Sequence, residues 1–361
     1  MPAIQDGFAL IPCDSCLRCV PVRGTCKQRD GPCDLRRTSP PAVNPDDLNG
    51  IVAKIAEEGA TNGAAINEAF NFCMSSGPKP EGTTMARKSF SEPGTEDPIT
   101  FAVTERDKST LQMVREALAD GRTMLAYQPV IGSVTGEPAF YEGLIRIADD
   151  TGRIIPASQF MDVVETQDLG REIDCAALRC GLGALGRTPG LRLSINMSAR
   201  SIGYPKWMQI LKRHLGRDDT IGERLILEIS ERSAMLVPEL VKTFMTDLQD
   251  RGITFALDDF GAGQTSFRHL KEFYFDVLKI DGSFVRNCDV DSDNQCILHA
   301  LISIGQQFDM FTVAGAVETG AEAQFLVESG VDCMQGYYYG APEIRPDWLP
   351  PAHRDGLRGT G

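Results

Sequence analysis

The sequence predicts an α/β protein: a (β/α)8 TIM-like barrel with an antiparallel first strand pair, behind a cysteine-rich, partly disordered N-terminal region. Three observations carry this expectation. From about residue 109 onward, short β-branched or aliphatic runs alternate with amphipathic stretches of helical length, the rhythm of strands covered by helices. Several runs end in a polar side chain able to bind a cation, and barrel active sites are built on the face where strands end. The segment between the first two strands, GSVTGEP, is too short for a crossover helix, so those strands must pair antiparallel.

In chain order, an opening helix is expected over 109–120, with Leu111, Val114 and Leu118 on one face. Strands follow over 124–130, 140–147, 191–196, 225–229, 253–257, 277–280, 311–317 and 331–334. Helices are expected over 157–169, 171–185, 238–251, 292–308 and 321–329. Eight strands suit a closed barrel. Composition divides the chain into a Cys-rich segment (1–37), linkers with short helices (38–108), the barrel (109–345) and a C-terminal tail (346–361). Within the linkers, 38–49 and 75–98 are rich in Pro and polar residues, while Ile51, Ile55, Ala60, Ile66 and Phe70 fall at helical spacing.

Hydrophobic residues at 42% and charged residues at 24% are ordinary for a globular chain. A net charge of −14 argues against broad nucleic-acid binding or a basic membrane-facing patch. No apolar run approaches the length of a membrane span, and MPAIQDGFALIP lacks the basic start and long apolar core of a signal peptide, so a cytoplasmic location is expected. Of eleven cysteines, Cys13, Cys16, Cys19, Cys26 and Cys33 cluster in the first 33 residues. Their C-x2-C-x2-C-x6-C-x6-C spacing is open to two readings, a Zn or Fe–S site or an oxidisable tail, since it matches neither a ferredoxin ending nor paired zinc knuckles.

The strand ends carry the chemistry. LRLSIN ends at Asn196, RLILE at Glu228 and DVLKID at Asp281, with Lys279 two residues earlier. ITFALDDFGAG runs a buried strand into adjacent Asp258 and Asp259 and then into glycines. Neighbouring carboxylates repel unless a cation or proton neutralises them, which points to a divalent metal; taken alone, Asp-Asp-x-Gly is equally a solvated turn.

YQPV, YEGLIR, SINMS, LEISE, ALDDFGAG, LKIDGSF, VAGAVET and QGYYYGAP occur in the order and spacing of the EAL-domain family, which the chain resembles from about Leu111 to Pro342. That family cleaves the bacterial second messenger cyclic di-GMP to the linear dinucleotide. The resemblance implies that Glu142, Asn196, Glu228 and Asp258 ligate a first Mg²⁺ or Mn²⁺ and that Asp259 is shared with a second. It implies Lys279 at the attacking water or the developing phosphate charge, Arg146 at a ligand phosphate, Asp281 beside the ligand, Gln128 and Gln335 around the ligand and the lysine, and Glu231 bracing the loop after the acid pair.

Two departures stand out. Glu142-Gly143-Leu144 replaces Glu-Ala-Leu and costs only a methyl group. Gly315-Ala316-Val317-Glu318 replaces Glu-Gly-Val-Glu, so the glutamate assigned to the second metal and to water activation is missing; Glu318 matches the second glutamate three residues further on and, with Lys279 and Asp259, is carried as a candidate catalytic residue that would compensate. The expected function is therefore a cyclic di-GMP receptor with weak or absent hydrolysis, working through an unidentified protein partner or a homodimer. The alternatives are an active Mg²⁺- or Mn²⁺-dependent phosphodiesterase releasing linear pGpG, and a nucleotide-independent protein-interaction module.

Overall fold

A computed structural model describes residues 98–263 and 270–349, together with a small antiparallel ladder of Lys27–Gln28 on Gly31–Pro32. The five N-terminal cysteines, the helical spacing read over 48–74 and the last twelve residues lie outside the described residues.

Helix α1, Pro98–Ala119, leads into β1 (Thr123–Gly132) and β2 (Pro138–Ala148), which pair antiparallel as the short connection requires. A short strand β3 (Ile154–Pro156) pairs with the end of β2. Then come α2 (Asp168–Arg187), β4 (Leu193–Asn196), α3 (Pro205–Leu215), β5 (Leu225–Ser230), α4 (Glu231–Leu236) and α5 (Pro238–Gln249). The chain continues through β6 (Thr254–Phe260), β7 (Val277–Ile280), α6 (Ser292–Gln307), β8 (Phe311–Ala314), α7 (Gly320–Glu328) and β9 (Cys333–Met334). The ladder runs β1-β9-β8-β7-β6-β5-β4-β2 and closes where β2 pairs with β1, giving the eight-stranded barrel. Strand β1 is antiparallel to both of its neighbours.

Four elements differ from expectation. The stretch read as one helix over 157–169 is broken into a 3-10 turn (Ala157–Gln159) and one helical turn (Met161–Val164) before α2 begins at Asp168. Helix α1 starts at Pro98 rather than near residue 109, with proline in the first turn, where its missing N–H leaves no bond unmade. The strand read over 253–257 runs on to Phe260 through a bulge that puts Asp259 at φ 54°. The strand read over 311–317 stops at Ala314, and Ala316 sits at φ 58°.

Strand period sets the core. Val130, Phe140, Ile226, Ala256, Val277, Val313 and Cys333, one from each barrel strand except β4, form an apolar plug. The alternate residues, among them Leu227, Leu257 and Leu278, join Leu178, Leu182, Trp207, Phe244 and Leu298 of the surrounding helices in the main core. A smaller cluster seats Val114 and Ala117 of α1 on Ile147 and Ile155. At the C-terminal side, Trp348 packs 5.0 Å from Tyr127 and 5.0 Å from Tyr141, ring centre to ring centre. Among the described residues no helix is long and apolar enough to cross a membrane.

Candidate active site

Two residues beyond five of the plug residues, on the same inward face, stands a polar one. Glu142 follows Phe140, Glu228 follows Ile226, Asp258 follows Ala256, Lys279 follows Val277 and Gln335 follows Cys333. Gln128 precedes Val130 because β1 runs the other way, and register places it directly opposite Glu142. Asn196 pairs with Glu228 in the β4–β5 ladder. The side chains therefore converge by strand geometry alone.

Lys279 Nζ lies 2.5 Å from Glu228 Oε2, 3.1 Å from Glu142 Oε2 and 3.2 Å from Asp258 Oδ1. Asn196 Nδ2 donates to Glu142 Oε1 at 2.6 Å, and Gln335 Nε2 donates to Glu142 Oε2 at 2.8 Å and to Gln128 Oε1 at 3.2 Å. Gln128 in turn donates to the Gly340 carbonyl at 3.0 Å. Glu142, Glu228 and Lys279 are all buried. Burial alone would raise the pKa of Glu142, but Lys279 and the two amide donors hold it below the usual carboxylate range. The same carboxylates keep Lys279 firmly protonated in spite of its burial. Glu228 has the shortest bond to the lysine, yet burial and then the Glu142 charge push it up to about 8. Three carboxylates around one ammonium leave the cluster net negative, so Glu228 retains a proton near neutrality unless a further cation joins.

Asp259 sits at the bulge with a left-handed backbone; the residue as a whole is exposed, but its carboxyl is partly shielded beside the site, and that desolvation, then the Asp258 charge, raises it to about 6. The loop after this pair is held by Glu231, the first residue of α4, whose Oε2 accepts from Gly261 N at 3.1 Å. Arg146, four residues past Glu142 on β2, is half-buried and donates to the Ile145 carbonyl at 3.0 Å. Burial lowers its pKa, while Tyr337 and Glu142 act in the opposite sense. Asp281 accepts from Ser283 N at 2.8 Å and from the Ser283 hydroxyl. Of the aromatic run, Tyr337 and Tyr338 are exposed, and Tyr339 is tied down by its hydroxyl on Met334 Sδ.

Glu318 does not join the others. Its exposed carboxylate lies 3.8 Å from Arg286 Nη2. Gly315, two residues beyond plug residue Val313, continues the inward row without a side chain, and a Cβ built there would meet only the Ile280 carbonyl, at 3.5 Å. Gly143 is a tighter case. A Cβ there would come within 3.0 Å of Leu125 Cδ1 and 3.3 Å of the Ser194 carbonyl, so neighbours have closed over the space of the missing methyl.

Ala316 holds a left-handed backbone that the Glu-Gly-Val-Glu pattern would give to glycine. The Cβ penalty there is about 1–2 kcal/mol, part of which glycine gives back as unfolded-state entropy. Ala316→Gly is expected to stabilise the protein by about 1 kcal/mol in urea unfolding; an unchanged or lower midpoint would show that the alanine side chain makes a compensating contact.

Among the described residues no three His, Cys, Asp or Glu side chains close on a point as a preformed metal cage, since the carboxylates are spread around Lys279. The donor set nonetheless fits a hard divalent ion. All of its donors are oxygens. Glu228 Oε1 is buried without a hydrogen-bond partner, and the cluster lacks positive charge.

A closed barrel with acids, an asparagine and a lysine gathered at the strand ends defines an α/β protein with a polar site at its C-terminal mouth. The EAL domain model matches residues 111–342, and the chain belongs to that family. It is 30% identical over 236 residues to the signaling protein YkoW of Bacillus subtilis, covering 64% of this chain and 29% of the relative. Against solved structures it superposes on the MucR phosphodiesterase of Pseudomonas aeruginosa in complex with c-di-GMP (TM-score 0.59, 27% identity, 68% of this chain and 99% of that one). It matches equally the FimX EAL domain of Pseudomonas aeruginosa bound to c-di-GMP (TM-score 0.61, 26% identity, 66% and 98%). The chain spans about a third of the length of the curated relatives it matches first.

The reading from sequence found every residue of the lysine cluster. It missed a buried carboxyl, Asp174 of α2, that sits behind the site; the only signal was an acid inside the apolar run IDCAAL.

Proposed function

We propose that this chain binds cyclic di-GMP at the barrel mouth and hydrolyses it weakly or not at all. One observation carries the reading: the inward row of side chains is continuous around the barrel mouth except at Gly315, and Glu318 is engaged elsewhere, on Arg286. Glu142, Asn196, Glu228 and Asp258 would hold a first Mg²⁺ or Mn²⁺, with Asp259 toward a second. When bound, such ions polarise a phosphodiester and lower the pKa of water.

The chain's own residues divide the remaining work. Arg146 suits a phosphate through its bidentate guanidinium, and Lys279 supplies positive charge where the phosphoryl oxygens become more negative. Gln335 and Gln128 fix the rotamer of Glu142, and Glu231 fixes the backbone beyond the acid pair. What is missing is a carboxylate at position 315 to take a proton from the attacking water, which lowers the chemical step more than binding. The MucR and FimX structures, both complexes with c-di-GMP, support the ligand class. A cytoplasmic setting, and output through a protein partner or a second copy, belong to the same reading.

Calorimetric titration with cyclic di-GMP in Ca²⁺ is expected to show binding, and product analysis in Mn²⁺ little pGpG. Gly315→Glu, for which the structure has room, is expected to raise the rate at least ~10-fold, at the low end of what a positioned acid or base contributes. Wild-type turnover that the substitution leaves unchanged would favour the active phosphodiesterase; no binding at all would favour the interaction module.

A further inference from the structure

The segment that follows Asn196 is a single 3-10 turn, closed by Ser201 N on the Ser198 carbonyl at 2.9 Å and by Ile202 N on the Ala199 carbonyl at 3.2 Å. Ahead of it Met197 N donates to the Glu228 carbonyl at 2.9 Å, and the next three amides are all taken by side chains. Ser198 N donates to Asp174 Oδ2 at 3.0 Å, Ala199 N to Ser233 Oγ at 2.8 Å, and Arg200 N to Ser198 Oγ at 3.3 Å. Asp174 Oδ2 also accepts from the Ser201 hydroxyl at 2.5 Å, so one carboxyl oxygen holds both ends of the 198–201 turn. Asp174, Ser201 and Ser233 are all buried.

Nothing about core packing asks for an acid at this place. Ile173, Cys175, Ala176, Ala177 and Leu178 around it on α2 are buried and apolar, and burying a carboxyl is costly unless its bonds are needed. The bonds it makes reach toward the site by two routes. Directly, they fix the segment that emerges from Asn196. Through Ser233, the same segment is tied to α4, whose first residue, Glu231, holds Gly261 N in the loop after Asp258 and Asp259. Ser230, opposite Asp258 in the β5–β6 ladder, accepts from Ser233 N at 3.3 Å and completes the connection.

We infer that Asp174 is a positioning residue: by clamping the 198–201 turn it sets the orientation of Asn196 and, through Ser233, supports the loop that carries Asp259. The inference rests on the reading of Asn196 as a donor to a divalent cation. Side chains that orient such donors from behind typically change metal affinity by about 10–100-fold when removed.

The test is Mn²⁺ affinity of the full chain, read as free Mn²⁺ by electron paramagnetic resonance, with thermal unfolding measured beside it. Asp174→Ala is expected to weaken Mn²⁺ by at least ~10-fold, and Asp174→Asn, whose amide oxygen accepts both bonds, to stay within about twofold of wild type. If Asp174→Ala fails to fold, Ser201→Ala removes one of the two donors and is expected to weaken Mn²⁺ about fivefold. Wild-type affinity in Asp174→Ala, or in Ser201→Ala where the first does not fold, overturns the inference and leaves Asp174 a fold-supporting residue only. A wild-type protein that takes up no Mn²⁺ overturns the donor-site reading itself, and the inference with it.

Discussion

Lys279→Met is expected to cost the metal-free protein about 3–5 kcal/mol, the usual cost of leaving a buried charge without its partner. Methionine nearly matches the lysine stem but carries no charge, so Glu142, Glu228 and Asp258 lose the ammonium that lies within 3.2 Å of each. For a barrel of this size the melting temperature should fall by about 10 °C in chelator. Two further outcomes separate electrostatics from lost packing. Added Mn²⁺ should raise the melting temperature of the variant more than that of wild type, because a divalent cation neutralises the same carboxylates. Acidification should also recover part of the loss, since a carboxyl left without a cation takes up a proton more readily than before. A variant that melts with wild type in chelator would mean that the three acids do not depend on Lys279.

This arrangement explains how much of the site was legible in the sequence. Barrel strands are short apolar runs, and a polar residue at a strand's end shares the direction of the inward-facing one two places before it, so Asn196, Glu228, Asp258 and Lys279 were legible as strand-end chemistry, whereas Glu142 and Gln335 were named only through the family resemblance. Where that simple period fails, reading failed too. Asp259 leaves the row through a bulge that extends β6, and Ala316 ends β8 early by taking a left-handed conformation that an alanine does not advertise. The break between 157 and 168 follows from chain reversal onto β2, a tertiary demand that helical periodicity does not register. The start of α1 was written in Pro98, a first-turn residue that also reads as a linker proline.

Asp174 shows the opposite difficulty. Helical patterning assigns an acid to solvent, and only its partners, Ser198 and Ser201, twenty-four and twenty-seven residues further on, reveal that it faces inward. The consequence for stability is large and has a definite sign. Burial pushes the Asp174 carboxyl up to about 7, against the lowering effect of the Ser201 and Ser198 bonds, with the Glu165 charge adding a small rise. The folded protein therefore keeps a proton between about pH 4 and pH 7 that the unfolded chain has released. Stability from this group is greatest at the acid end of that window, declines as pH rises through it, and does not return above it.

An asparagine side chain has no proton to lose, so Asp174→Asn should match wild type near pH 4.5 and become progressively the more stable protein toward pH 8, by at most about 4 kcal/mol. Urea unfolding in chelator at pH 5, 6.5 and 8 reads the difference directly. A gap between the two proteins that does not widen with pH would show that the carboxyl ionises in the folded chain as easily as in water. Either protonation state leaves an oxygen facing Ser198 and Ser201, so the same substitution should change the slope of stability with pH while sparing Mn²⁺ affinity. That separation distinguishes an acid kept for the geometry of its acceptor from one kept for its charge.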